Sequence, residues 1–246
     1  AVARHDVVIV CGATGSGKTT QLPQFLYEAG FGTCRCDRHR GLVGVTEPRR
    51  LAATATAQRV AAELNVGLGG AVGFQVRHAR REGPEGAVKF MTDGILLREL
   101  QEDFLLTKYS VVILDEAHER SVNTDVLVGL LARVVPLRAK LAAARTATSG
   151  GAPPLKLIIM SATLQVEQFV GNRQLFRAPP PVLSVPARQF PVTVHFARRT
   201  ELVDYLGAAV QKALAVHRRL PRGHLLVFLT GQKEVLHVCR RLERAL

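Results

Sequence analysis

Short apolar runs recur along the chain, and each gives way to an amphipathic or polar stretch. The clearest cover residues 7–11, 42–46, 111–115, 155–160 and 225–229. Their β-branched content and shortness predict strands buried in a parallel sheet. Helical patterns lie between them. Residues 18–29 predict a helix that stops at Gly30, and residues 51–64 an alanine-rich helix that ends near Gly67. Residues 122–134 predict a helix that stops before Pro136. Pro23 lies near the start of the first helix, where a small kink is tolerated. Strand alternating with helix predicts an α/β fold with a mainly parallel sheet.

Three stretches break this alternation. Residues 32–41, rich in Cys, Arg and Gly, and residues 142–154, which end in Pro153 and Pro154, predict surface loops. Residues 178–191 hold five prolines (Pro179, Pro180, Pro181, Pro186 and Pro191) and predict a connection between domains. The expected boundaries are 1–178 for a first domain, 179–191 for the connection and 192–246 for the start of a second domain. No run of 18 or more apolar residues is present, so no transmembrane helix and no membrane partner are expected. Residues 1–6 lead straight into the first strand with no signal-peptide pattern and no initiator Met. The chain is therefore expected to be an excised domain or a fragment.

Gly12-Ala13-Thr14-Gly15-Ser16-Gly17-Lys18-Thr19 matches G-x-x-x-x-G-K-[ST] in full, between a predicted strand and a predicted helix. Glycines let such a loop curl until its N–H groups face a phosphate, and the helix N-terminus adds partial positive charge. Lys18 can then reach the β- and γ-phosphates of a nucleotide, and the Thr19 hydroxyl can bind Mg²⁺. Asp115-Glu116-Ala117-His118 follows the apolar run 111–114. Paired carboxylates at the end of a buried strand are the usual second half of such a site. Asp115 would hold the Mg²⁺ shell and Glu116 would deprotonate the attacking water. The alternative, a solvated turn with Asp115 as a helix cap, fits poorly with a phosphate loop upstream.

Charge and composition narrow the partners. Thirty-three Lys and Arg against 20 Asp and Glu leave a net charge of +13. That balance suits a polyanion such as nucleic acid, or a basic soluble protein with no such partner. Aromatics make up 5% and Trp is absent, which argues against stacking-based base reading and for gripping of a backbone. The four cysteines, Cys11, Cys34, Cys36 and Cys239, form no disulfide framework and fit a reducing compartment. Cys34, Cys36 and His39 invite a zinc reading, but no second ligand pair follows, and a surface loop is the simpler one.

Further motifs follow in order. Thr46-Glu47-Pro48-Arg49-Arg50-Leu51-Ala52-Ala53 is similar to motif Ia of the DEAH-box helicases of superfamily 2, and Thr92-Asp93-Gly94-Ile95-Leu96-Leu97-Arg98-Glu99 resembles motif Ib. Asp115 to His118 resembles the DEAH box and continues as Glu119-Arg120-Ser121. Ser161-Ala162-Thr163 resembles motif III, and Leu226-Val227-Phe228-Leu229-Thr230-Gly231 resembles motif IV. The resemblance implies a RecA-like P-loop NTPase domain, the first part of a second RecA-like domain, and an ATP-dependent RNA helicase working with Mg²⁺ and ATP. Residues 46–53, 89–99 and 189–196 look most like the ribosome-biogenesis members acting on the small-subunit precursor. That implies pre-rRNA or snoRNA-containing particles as partners, a glycine-patch activator protein, and a nuclear, nucleolar location.

Carried over singly, Arg49, Arg50 and Thr92 match positions that grip the RNA backbone; forked guanidinium groups and a hydroxyl suit phosphate oxygens. The two arginines also read as a solvated pair at a helix start. Thr20 joins the nucleotide loop, and Arg59 matches an arginine that stacks on the base, or is an ordinary surface arginine. His118 would link the nucleotide site to the second domain, or pack against a helix. Ser161, Ala162 and Thr163 would relay nucleotide state to RNA grip, and Ser161 and Thr163 can also cap the next helix. Two departures stand out. Ala13 replaces the family's usual Glu, and nothing matches motifs V and VI, which carry the glutamine and arginine fingers. The polypeptide as written is expected to bind ATP and hydrolyse it poorly. Another P-loop ATPase, such as a splicing DEAH helicase or a DNA-directed helicase, and a non-catalytic RNA-binding scaffold are the competing readings.

Overall fold

The computed structural model describes residues 1–32, 40–144, 153–162, 167–186 and 190–246. The chain divides into two compact units, residues 1–189 and 190–246. The first unit is built on strands β1 (Val7–Gly12), β2 (Leu42–Glu47), β3 (Val72–Val76), β4 (Ala79–Arg81), β5 (Val88–Thr92), β6 (Tyr109–Leu114), β7 (Lys156–Ser161) and β8 (Val182–Val185). They form one sheet in the order β4-β3-β5-β2-β6-β7-β1-β8. Every neighbouring pair is parallel except the β3–β4 hairpin. The α/β class with a mainly parallel sheet is therefore what the chain adopts.

Alternation along the central strands feeds two cores. Ile9, Val112, Leu114, Leu157 and Ile159 face α3 (Asp93–Glu102) and α4 (Val122–Ala143), where Leu96, Leu127 and Leu131 meet them. Val10, Val45, Val111, Ile113 and Ile158 face α1 (Lys18–Glu28) and α2 (Arg50–Glu63), where Leu26, Ala57 and Val60 close the layer. Strands buried on both faces need apolar residues at consecutive positions, which is why the runs carry no polar alternation. Each such side chain contributes roughly 1.5–3 kcal/mol on burial.

Several expectations change. α4 does not stop before Pro136; it runs through it to Ala143 and takes in the first residues of the expected loop 142–154. Pro136 forfeits one backbone bond, but Val134, Val135 and Arg138 around it are buried, and that packing carries the helix past the break. The proline-rich stretch holds a strand. Prolines cannot donate to a ladder but still accept, and Ile9 N–H donates to Pro181 O at 3.0 Å where β8 joins the edge beside β1. Strands β3 and β4 lie in a Gly- and Arg-rich stretch whose apolar residues are too sparse to announce them. The expected loop 32–41 has residues 33–39 outside the described residues.

The second unit contains α6 (Tyr205–Arg219) and α7 (Gln232–Glu243), preceded in the chain by the short α5 (Glu167–Val170) of the first unit. Asp204 caps α6, its Oδ1 accepting from Gly207 N–H at 2.8 Å. Val210, Ala213 and Val238 are buried there. The run 225–229, predicted as a buried strand, is not one: Leu226 is 80% and Phe228 86% exposed. A parallel strand exists only through its neighbours, and among the described residues of this unit no strand is present to pair with it.

Arg138 is the largest fully buried side chain among the described residues. Its Nη1 donates to Leu106 O at 2.9 Å and Tyr109 O at 2.7 Å, and its Nη2 to Pro153 O, so it stitches α4 to the entry of β6 and the entry of β7. Burial lowers its pKa to about 10, still charged at neutral pH. Arg138→Met is expected to lower urea-derived stability by ~2–4 kcal/mol, because the carbonyls lose their donors inside the fold. Arg138→Lys is expected to restore less than half, since one ammonium cannot span three carbonyls on two segments. A change below about 0.5 kcal/mol for Arg138→Met, the scale of an ordinary surface substitution, contradicts this reading.

Candidate functional site

Residues 12–19 turn from β1 into α1 at the carboxyl edge of the sheet. Gly17 has φ 82°, in the left-handed region, which lets the chain reverse directly into the helix. Gly12 is required by proximity instead: a Cβ there would lie 2.7 Å from Val185 O, so β8 braces the loop's first residue. Ala13 acts through its backbone. Its carbonyl accepts from Ser16 N–H at 3.1 Å and from Lys18 Nζ at 3.1 Å, contacts that do not depend on its side chain. Lys18 Nζ also donates to Gly12 O at 2.5 Å and to Ser16 Oγ at 3.2 Å, so the ammonium lies curled over the loop. Thr14 and Gly15 form the exposed crest. Thr20 Oγ1 donates to Gly17 O at 3.2 Å and closes the loop from the helix side.

The two expected halves of the site touch. Thr19 Oγ1 donates to Asp115 Oδ2, a bond between residues 96 positions apart. Asp115 continues the β6–β2 ladder, its N–H donating to Thr46 O at 3.1 Å, and its Oδ1 accepts Glu116 N–H at 2.7 Å. Burial pushes the Asp115 carboxyl above its usual range, and the Thr19 hydroxyl pulls it back. Glu116 has φ 51°, a left-handed conformation that costs a non-glycine residue about 1 kcal/mol or more. A single 3₁₀ turn, Ala117–Glu119, follows. His118 Nδ1 lies 3.3 Å from Ala162 N–H and 3.2 Å from Glu116 Oε2. A neutral Nδ1 with a free lone pair accepts from Ala162; a protonated Nδ1 donates to Glu116 instead. Ser161 is buried at the end of β7, and Thr163 lies outside the described residues.

Sequence reasoning missed Glu47. It ends β2 as Asp115 follows β6, and only 4% of it is exposed. Burial, and then the charges of Asp115, Glu116, Asp93 and Glu119, push its carboxyl up to about 8. Its signal was available: a carboxylate closing a buried strand just before Pro48, the same pattern that marked Asp115. The Thr19 hydroxyl and Asp115 carboxylate are hard oxygen donors of the kind Mg²⁺ takes, and this cluster of carboxyl groups, of which Glu47, Asp93 and Asp115 are buried, fits a compensating cation. Among the described residues no group of three or more His, Cys, Asp or Glu could hold a metal. The remaining ligands would be phosphate oxygens and water. The zinc reading at Cys34, Cys36 and His39 falls outside the described residues.

The expected RNA contacts share this edge. Glu47 and Thr92 are register partners on β2 and β5, and Thr92 is the residue from which α3 starts. Arg49 is highly exposed, its Nη2 3.1 Å from Glu119 Oε1. Arg50 Nη1 reaches Arg77 O at 3.5 Å, which ties the start of α2 to the β3–β4 hairpin. That hairpin adds exposed Arg77, Arg80 and Arg81, which the sequence reading did not single out. Arg59 stands apart from the edge: its Nε donates to Glu63 Oε1 at 2.6 Å, and Glu63 Oε2 accepts from Gln24 Nε2 at 2.6 Å and Gln21 Nε2 at 2.9 Å on α1.

Comparison with known proteins gives a consistent picture. A family model described as DEAD/DEAH box helicase matches residues 1–169. "ATP-dependent RNA helicase DEAH13" of Arabidopsis thaliana is 54% identical over the whole chain, which covers 20% of that protein. "Probable ATP-dependent RNA helicase DHX37" of Homo sapiens is 57% identical, again over the whole chain and 20% of its own length. "Probable ATP-dependent RNA helicase DHR1" of Saccharomyces cerevisiae is 54% identical over 99% of the chain and 19% of its length. The chain thus spans about a fifth of the relatives it matches.

Glu47 generates a pH prediction. Its folded pKa, about 8, lies above an unfolded value near 4.5, so the folded state holds the proton more tightly. The protein therefore loses stability relative to a Glu47→Gln variant as pH rises from about 4.5, and the difference levels off above about pH 8. Thermal unfolding of the nucleotide-free protein is expected to show equal melting near pH 4 and a more stable variant by several kcal/mol at pH 8.5. A pH-independent difference contradicts the buried neutral carboxyl.

Proposed function

The chain belongs to the DEAD/DEAH box helicase family, and on that premise we propose that it carries the nucleotide-hydrolysing and RNA-gripping core of an ATP-dependent RNA helicase. The observation that carries this reading is the Thr19–Asp115 hydrogen bond, which holds the phosphate loop against the DEAH box. Residues 12–20 bind the phosphates through backbone N–H groups, with Lys18 leaving the loop carbonyls to meet the β- and γ-phosphates. Thr19 and Asp115 would hold Mg²⁺, which would supply neutralisation of charge on the phosphate oxygens. Glu116 orients the attacking water and accepts its proton. Arg59, bound to Glu63 in the nucleotide-free protein, would leave that partner to stack on the nucleotide base.

Hydrolysis is linked to RNA by shared structure. His118 binds the backbone of Ala162 or the Glu116 carboxylate, and so reports the state of Glu116 to Ser161, Ala162 and Thr163. Arg49, Arg50 and Thr92 take RNA phosphates, and the arginines of the β3–β4 hairpin extend the same basic face. A backbone grip without aromatic stacking suits a motor that moves over any sequence. The motif wording in residues 46–53 and 89–99 supports action on small-subunit pre-rRNA in the nucleolus, with a glycine-patch protein as activator.

The test is the ATPase of the full-length protein with and without RNA. Lys18→Ala and Glu116→Gln are each expected to lower kcat by ~10²-fold or more. Arg49→Ala with Arg50→Ala is expected to raise the RNA concentration for half-maximal stimulation several-fold, with a shallower salt dependence and unchanged RNA-free turnover. Stronger stimulation by DNA than by RNA favours a DNA-directed ATPase. ATP-independent RNA binding with turnover unaffected by Lys18→Ala favours a scaffold.

A further inference from the structure

The amino-terminal edge of the sheet, opposite the edge that carries Gly12, Asp115 and Thr92, holds a feature that the nucleotide and RNA reading does not use. A cavity of about 530 Å³ opens there between the C-terminal half of α4 and residues 173–181, which lead into β8. That volume lies within the ~300–1,000 Å³ of ordinary ligand pockets. Val135, Leu137, Leu175, Pro179 and Pro181 give it an apolar lining. Pro136 also lines it, and having no N–H it leaves the Ala132 carbonyl in the same wall without its usual helical donor.

The charge around this lining is one-sided. Arg133 and Lys140 on α4 face Arg173 and Arg177 on the opposite wall. Among the described residues none of these four has a carboxylate within salt-bridge distance. Asp6 is the one carboxylate in the lining, and Lys156 Nζ already pairs with it at 2.9 Å. An apolar floor with a cationic rim is complementary to an acidic segment that carries apolar side chains. RNA fits less well. Phe176, the one Phe, Tyr or Trp among the lining residues, is itself buried, which leaves exposed His5 as the single ring open to a base, and the hydrocarbon floor would desolvate phosphates that only the rim can pair.

We infer that this groove docks a short acidic peptide of a partner protein, anchored by apolar side chains between α4 and residues 173–181 and held by Arg133, Lys140, Arg173 and Arg177. The site lies away from the Thr19–Asp115 contact, so the proposal does not depend on the nucleotide chemistry.

Fluorescence anisotropy on the full-length protein tests it. The probe is a fluorescein-labelled peptide of about ten residues in which leucine and phenylalanine alternate with aspartate and glutamate. A second probe replaces the apolar residues with serine, and an oligouridine serves as competitor. The acidic–apolar peptide is expected to bind at least ~10-fold tighter than the serine version. Arg133→Glu with Arg177→Glu is expected to weaken it at least ~10-fold, with unchanged melting temperature and unchanged RNA-free ATPase. Leu137→Ser is expected to weaken the acidic–apolar peptide and leave the serine version unaffected. Equal binding of the two peptides, unaltered affinity in the charge-reversed protein, or displacement of the peptide by oligouridine would each overturn the proposal, the last by making the groove an RNA surface.

Discussion

Strands β1, β2, β5, β6 and β7 run in one direction and therefore end at one edge of the sheet. Register then decides which residues become neighbours. Cys11 pairs with Ser161, Thr46 with Leu114, and Glu47 with Thr92. The phosphate loop, the DEAH box, the end of the Ser161 strand and the expected RNA contacts are distant in sequence, yet each begins within a residue or two of this edge. A register slip of one residue in β6 would turn Asp115 to the other face and break its bond to Thr19. The apolar cores on the two faces fix the register, so packing far from the chemistry sets the geometry of the site.

That edge concentrates negative charge in a place that solvent barely reaches. Glu47 and Asp115 are both buried, and both carboxyl groups are pushed above their usual range. Isolated buried carboxylates are unfavourable, so the nucleotide-free protein holds Glu47 neutral and satisfies Asp115 with the Thr19 hydroxyl and the Glu116 N–H. A cation would relieve the same strain from outside. Asp93 extends the network: its Oδ2 accepts from Thr124 Oγ1 at 2.6 Å and Ser121 Oγ at 3.3 Å, while Ser121 caps α4. The first turn of α3, next to Thr92, is thereby joined to the first turn of α4, next to the DEAH box. These polar contacts connect the residues that stand beside the two expected ligands.

Much of this was legible in the sequence where a residue type admits few uses. Gly17, Lys18 and Thr19 behind an apolar run, and Asp115 and Glu116 behind another, marked the two halves of the candidate site that the fold brings into contact. Glu47 carried the same strand-end signal but was absorbed into a motif noted for its arginines. The grouping of Arg77, Arg80 and Arg81 was illegible because it comes from a hairpin, and short edge strands with few apolar residues leave little periodicity. Pro136 and the proline-rich stretch misled for one reason. Local rules forbade regular structure there, and tertiary burial of Val134 and Val135 and an edge position beside β1 overrode them. The run 225–229 misled in the opposite sense, since its composition suits a strand whose partners are not among the described residues.

The contact between Thr19 and Asp115 is the point at which fold and chemistry meet, and thermal unfolding with ADP tests it most directly. Magnesium with ADP should raise the melting temperature more than ADP with a chelator, because the cation completes the charge balance at Asp115. Asp115→Asn should keep the ADP effect and lose the increment that magnesium adds. An increment of the same size in wild type and Asp115→Asn would show that the paired halves do not hold the cation.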